Sequence, residues 1–188
     1  SASSISESAG TSLTITATLS STSDEDVTVS IGTSGAATEE TDYANISDIT
    51  ISAGDTTGTA DFTPTDDTTY EDDEAAAVAI TGVSGGDAIE DGTQSVSITI
   101  SENESAPTVT LSSSASSIAE NAGSSLTLTA TASGTADEDI TVAITPTGTA
   151  TEGTDYAEIS NITISAGDTE GTADFTPTDD TTYEDDEA

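Results

Sequence analysis

The chain has 188 residues, of which 37 are Asp or Glu and none is Lys, Arg or His, giving a formal net charge of −37. No side-chain salt bridge can form, nucleic-acid phosphates and anionic lipid heads meet no cation, and a compact fold must overcome its own repulsion. The absence of Cys removes disulfides, thiolate metal sites and Cys nucleophiles, and no apolar run approaches the ~20 residues that span a bilayer.

From the N-terminus onward, apolar residues alternate with a period of two. Leu13, Ile15, Ala17 and Leu19 point one way and Thr14, Thr16 and Thr18 the other. The pattern returns in Val27, Val29 and Ile31, in Ile49 with Ile51, and in Ala60 with Phe62. It continues in Val78 with Ile80 and in Val96, Ile98 and Ile100, and Val109 with Leu111 opens a second set. The outward positions are mostly Thr and Ser, which suit a pleated strand. Ala53-Gly54-Asp55, Pro64, Gly85-Gly86 and Asp91-Gly92 punctuate the runs. The segment from Tyr70 to Ala77 is too short for a stable helix. Gly85 to Gly92 resembles a Gly-rich calcium-binding nonapeptide, but it occurs once and reads as a hairpin loop. The sequons at Asn45, Asn103 and Asn161 read as chance in a chain with 67 Ser and Thr. The whole is all-β: a two-sheet sandwich of about seven strands per repeat. Tyr43, Phe62 and Tyr70, with Tyr156, Phe175 and Tyr183, are expected in the cores or at their edges.

The chain repeats itself at an offset of 113 residues. Ser1 to Ala75 aligns without a gap on Ser114 to Ala188, with 58 of 75 positions identical. Residues 1–105 form one expected domain, lacking its first strand segment, and 106–188 a second. The second copy lacks the counterpart of Ala76 to Ser113, so the chain is expected to continue beyond Ala188.

The acids cluster. Asp66-Asp67 is followed by Glu71-Asp72-Asp73-Glu74, and the run recurs as Asp179-Asp180 with Glu184-Asp185-Asp186-Glu187. Strand counting places this run in a loop at one end of the sandwich, together with Glu7, Asp42 and the last strand's exit at Glu102-Asn103-Glu104. Clustered oxygen donors without N or S ligands suit Ca2+, which takes six to eight oxygens. Glu39-Glu40 and Asp24-Glu25-Asp26 read instead as a solvated face.

These residues carry a family resemblance. Glu7, then Gly10, then Gly35-x-Ala37-Thr38-x-x-Thr41-Asp42-Tyr43, then Asp66-Asp67-x-x-x-Glu71-x-x-Glu74, then a last strand ending in Glu102-Asn103-Glu104, resembles the Calx-beta domain. The second copy has Glu120-Asn121-x-Gly123 and Gly148-Thr149-Ala150-Thr151-x-Gly153-Thr154-Asp155-Tyr156. The resemblance implies tandem seven-stranded immunoglobulin-like β-sandwiches that bind Ca2+ at one tip. Carried over by matching position, the ligands would be Glu7, Asp42, Asp66, Asp67, Glu71 and Glu74, with Glu102, Asn103 and Glu104 closing the site. In the second copy they would be Glu120, Asp155, Asp179, Asp180, Glu184 and Glu187. The departure is Glu102-Asn103-Glu104, which stands where the family has a run of Asp.

The expected function is that of a calcium-stabilised structural repeat in a secreted or cell-surface adhesin, matrix or filament protein. Its partners would be neighbouring repeats of the same chain and, through bridging ions, other copies in a fibre. Near-identical repeats favour this over the alternative, a regulatory calcium-sensing module of a membrane transporter or receptor, whose domains usually diversify. Catalysis is not expected, because the paired carboxylates have no His, Lys, Cys or Arg to assist them and recur in both copies.

Overall fold

The computed structural model of the chain describes residues 4–183 and 185–187. Two compact units are present: Ser1–Thr68 with Asp72–Asn103, and Glu104–Ala188 with Thr69–Glu71. Both are β-sandwiches. Among the described residues there is no α-helix, only two short 3-10 turns at Glu7–Ala9 and Glu120–Ala122, and no helix long and apolar enough to cross a membrane.

The first unit holds β1 (Ser4–Ser6), β2 (Leu13–Thr18), β3 (Val27–Gly35), β4 (Ile49–Ile51), β5 (Thr57–Phe62), β6 (Glu74–Ser84) and β7 (Ser95–Ser101). One sheet has the order β1-β7-β6-β3-β4 and the other pairs β2 with β5. The inward residues of the alternating runs meet between the sheets. One cluster gathers Ile5, Tyr43, Phe62, Val78, Ile98 and Ile100, and the other Val27, Val29, Ile49 and Ile51. Ile15, Ile31 and Ala60 pack against both. Each Val or Ile taken fully out of water stabilises the fold by about 1.5–3 kcal/mol, which offsets a charge that no ion pair neutralises.

The first strand does two jobs. β1 runs parallel to β7, with Ile5 opposite Ile100, whereas β2 lies in the opposite sheet. The 3-10 turn Glu7–Ala9 carries the chain across, and Gly10 closes it at φ 61°, ψ 15°. That left-handed conformation suits Gly because it has no Cβ to clash. The crossing places Glu7 at the sandwich tip.

The second unit repeats the plan with β8 (Val109–Ser113), β9 (Leu126–Ala132), β10 (Ile140–Val142), β11 (Ile162–Ile164) and β12 (Glu170–Phe175). Register is kept at the repeat offset: Leu13 faces Phe62 as Leu126 faces Phe175, and Val27 faces Ile51 as Ile140 faces Ile164. Both Tyr–Phe pairs stack, with centroids 4.7 Å apart for Tyr43–Phe62 and 4.9 Å for Tyr156–Phe175.

Three expectations change. Tyr183 is 89% exposed, whereas its counterpart Tyr70 is half-buried. Glu74 is the first residue of β6, paired with Ile100, and not a loop residue. The acids read as a solvated face are partly structural. Asp26 accepts a hydrogen bond from the Ala53 N–H at 2.8 Å, as Asp139 does from Ala166. Half-buried Glu39 accepts from the Thr33 hydroxyl at 2.9 Å and from the Asn45 amide.

Candidate metal centre

Three parts of the first unit build the tip: the turn holding Glu7, the acidic residues 66–68 and 72–74, and the end of β7. Glu7 is the one buried charged residue among those described, at 6% exposure. Its carboxylate accepts a hydrogen bond from the Asp67 N–H at 2.9 Å. Burial pushes the Glu7 pKa up; the Asp67 N–H pulls it down, and the charges of Glu102, Asp67 and Asp66 push it up again. A carboxylate desolvated among other carboxylates favours its proton unless a cation replaces it.

Asp42 is fixed by its own turn. Its carboxylate accepts the Thr38 N–H, while its N–H donates to the Thr38 carbonyl at 2.9 Å. Its carbonyl in turn accepts the Thr65 N–H at 2.9 Å, which ties the turn to the chain just before Asp66. Tyr43, stacked on Phe62, anchors the same turn in the core.

The structure brings Glu7 and Glu102 together, with a carboxylate oxygen of each within 4.8 Å of the other, and does the same for Asp42 and Glu74. Asp66 and Asp67 are exposed, near enough to Glu7 for their charges to act on it. Glu71 and Glu104 are half-buried, and Asn103 is exposed. The first unit's own donors, Glu7, Asp42, Asp66, Asp67, Glu74 and Glu102, are all oxygens, so they fit a hard cation such as Ca2+ and offer nothing to a metal that prefers N or S.

The second unit keeps part of the pattern. Glu120 accepts the Asp180 N–H at 2.7 Å and Asp155 accepts the Thr151 N–H. Glu120 and Asp179 border an open hollow of about 190 Å³ that also touches Asn121. Glu120, Asp179, Asp180 and Glu187 are exposed and Asp155 is half-buried. Glu184 lies outside the described residues.

Sequence reasoning missed Asp73. Its carboxylate accepts the Glu102 N–H at 2.9 Å, joining the acidic run to the end of β7. Nothing in the sequence separates Asp73 from Asp72 beside it, because the partner lies 29 residues on.

The family comparison agrees with this architecture. The model of the Calx-beta domain matches residues 1–104 and 102–188. No curated protein matches the chain in sequence. Among solved structures, the chain is similar to "Crystal structure of CBD12 from CALX1.2", with 16% identity over 93% of this chain and 71% of that one, at a TM-score of 0.45. It is similar to "Crystal structure of calcium binding domain CBD12 of CALX1.1" at 14% identity, with 93% and 72% covered and a TM-score of 0.45. Two family segments in tandem thus account for every residue, and the chain belongs to the Calx-beta domain family.

Proposed function

We propose that this chain binds Ca2+ at the sandwich tip and serves as a calcium-stabilised structural repeat of a secreted or cell-surface adhesin, matrix or filament protein. The observation that carries the calcium reading is the buried Glu7 carboxylate, held beside Glu102, Asp66 and Asp67 in a chain without a single basic side chain. A divalent cation is the simplest group that compensates this arrangement. Family membership supports the same reading. The structural role rests on the near-identity of the two repeats, which suits a spacer whose units perform one mechanical task. Catalysis has no support, since no nucleophile–base pair accompanies the acids. The expected partners are neighbouring repeats and, through bridging ions, further copies of the chain in a fibre.

Titration calorimetry and thermal melts test this. Calcium raises the melting temperature by binding the native state, and excess chelator lowers it. Replacing Asp66 and Asp67 by Ala removes most of the binding by the first repeat, while replacing Glu40 does not. An unchanged melt in chelator sinks the metal reading.

A further inference from the structure

Three hydrogen bonds in the first unit close a triangle between its three tip segments. The Glu7 carboxylate accepts the Asp67 N–H at 2.9 Å, linking the 3-10 turn to the acidic run. The Asp73 carboxylate accepts the Glu102 N–H at 2.9 Å, linking that run to the end of β7. The Asn103 side-chain carbonyl accepts the Ser8 N–H at 3.1 Å, linking the end of β7 back to the turn. Each corner is thus tied to the other two.

Glu7 stands apart from the other two acceptors, because it is buried and faces the charges of Glu102, Asp66 and Asp67. Asp73 and Asn103 are exposed, and both reach a backbone N–H next to a carboxylate of the candidate centre. Asp73 holds the N–H of Glu102 itself, and Asn103 holds the N–H of the residue after Glu7. The Glu102 carboxylate also accepts the Asn103 N–H at 2.7 Å, which stiffens that corner. Because Asn103 is neutral, it accepts the Ser8 N–H without adding another negative charge beside Glu7 and Glu102.

We propose that Asp73 and Asn103 are positioning residues of the calcium site rather than its ligands: they lock the end of β7 to the acidic run and to the Glu7 turn, so that the Glu7 and Glu102 carboxylates are already together before an ion arrives. This rests on the calcium reading above and removes Asn103 from the ligand set that the family resemblance implies. Preorganising donors reduces the ordering cost of binding, and residues that orient metal ligands commonly govern affinity by about 10–100-fold.

The test uses the whole chain. Calcium is titrated while the Asp67 and Glu102 amide resonances are followed, so the first repeat is read alone. Asp73→Ala and Asn103→Ala are expected to weaken binding at least about tenfold. Asp73→Asn keeps a side-chain oxygen acceptor but loses the charge, and it is expected to bind within about threefold of wild type, since a positioning role needs the acceptor alone. A second readout needs no metal: in chelator, the Glu102 amide exchanges faster in Asp73→Ala and the Ser8 amide faster in Asn103→Ala, with Asp73→Asn restoring protection at Glu102.

Loss in Asp73→Asn equal to that in Asp73→Ala overturns the proposal in favour of direct ligation. Wild-type affinity in both Ala variants overturns it as well. If the wild-type chain binds no calcium, the calcium reading itself fails; the triangle is then judged by exchange alone, and unchanged exchange at Glu102 in Asp73→Ala overturns it.

Discussion

Glu7 and Asp67 are sixty residues apart in sequence, yet the Glu7 carboxylate accepts the Asp67 N–H at 2.9 Å, and Glu120 repeats the bond to Asp180 at 2.7 Å. One backbone donor is a weak counterpart for a buried charge, and burial with three neighbouring acids leaves the Glu7 pKa raised. The linkage sign follows. The folded state holds the Glu7 proton more tightly than the unfolded chain. The penalty from Glu7 is therefore fully present above its raised pKa, and it is relieved as pH falls from there toward the ordinary carboxylate range. In chelator, Glu7→Gln is expected to stabilise the first unit at neutral pH and to flatten this pH dependence, while weakening calcium binding. Denaturant melts across that window check it. Equal slopes for wild type and variant would place the charge stress elsewhere.

Glu40 is a non-Gly residue at φ 71°, and its counterpart Gly153 sits at φ 80°. Both turns close the same way, with the N–H donating to the Tyr43 or Tyr156 carbonyl at 2.8 Å. The second repeat thus uses the residue that adopts this conformation without a Cβ clash. Glu40→Gly is expected to stabilise the first unit by about 1 kcal/mol and also removes one negative charge. Glu40→Gln, which loses only the charge, separates the two effects. If Gln gains as much as Gly, backbone strain contributes nothing.

The alternation of Leu13-Ile15-Ala17, Val27-Val29-Ile31 and Ile98-Ile100 made the strands legible, because a half-buried sheet imposes that period on the chain. The tip was legible as a set of acids for a similar reason: Glu7, Asp42, Asp66, Asp67, Glu71 and Glu74 all return at the repeat offset. Which acid does what was not legible. Asp26, Asp48 and Asp73 look like ordinary surface charges, yet each accepts a backbone N–H, from Ala53, Ile31 and Glu102 respectively. These partners lie 17 to 29 residues away, beyond the reach of any local pattern. Asp48 illustrates the gain. It binds the Ile31 N–H at 2.9 Å and the Ser30 hydroxyl at 3.1 Å where the β3–β6 register shifts between Ser30 and Ile31. A chain without basic residues satisfies its carboxylates with main-chain donors.

That use of main-chain donors separates two acids in one run. Asp26 accepts the Ala53 N–H at 2.8 Å, so Asp26→Ala loses an exposed hydrogen bond and is expected to cost about 0.5–1 kcal/mol. Asp24 is exposed, and Asp24→Ala is expected to be neutral or slightly stabilising, since it removes repulsion. Asp26→Asn keeps an acceptor oxygen and recovers most of the loss. Equal destabilisation by Asp24→Ala and Asp26→Ala in denaturant titrations would mean that the bond contributes little.

Limited proteolysis reads the acidic run directly. With no Lys or Arg, the chain offers trypsin no site, so trypsin serves as a control that reports contamination alone. A Glu-specific protease has many sites, but cleavage needs an extended segment and therefore local opening. Glu74 opens β6 and pairs with Ile100, whereas Glu71 precedes the strand. In chelator the carboxylates of this run repel one another, and the run opens at little cost, so cutting is expected first at Glu71 and then at Glu74. Calcium that binds only the closed form lowers the open population. At about ten times the dissociation constant, cleavage at Glu71 is expected to slow roughly tenfold, provided opening and closing are fast relative to cutting. Asp73→Ala should cut faster than wild type in chelator, because the run is no longer tied to Glu102. Equal rates at Glu71 with and without calcium would mean that the run is not ordered by an ion, and the structural role assigned to calcium would lose its support.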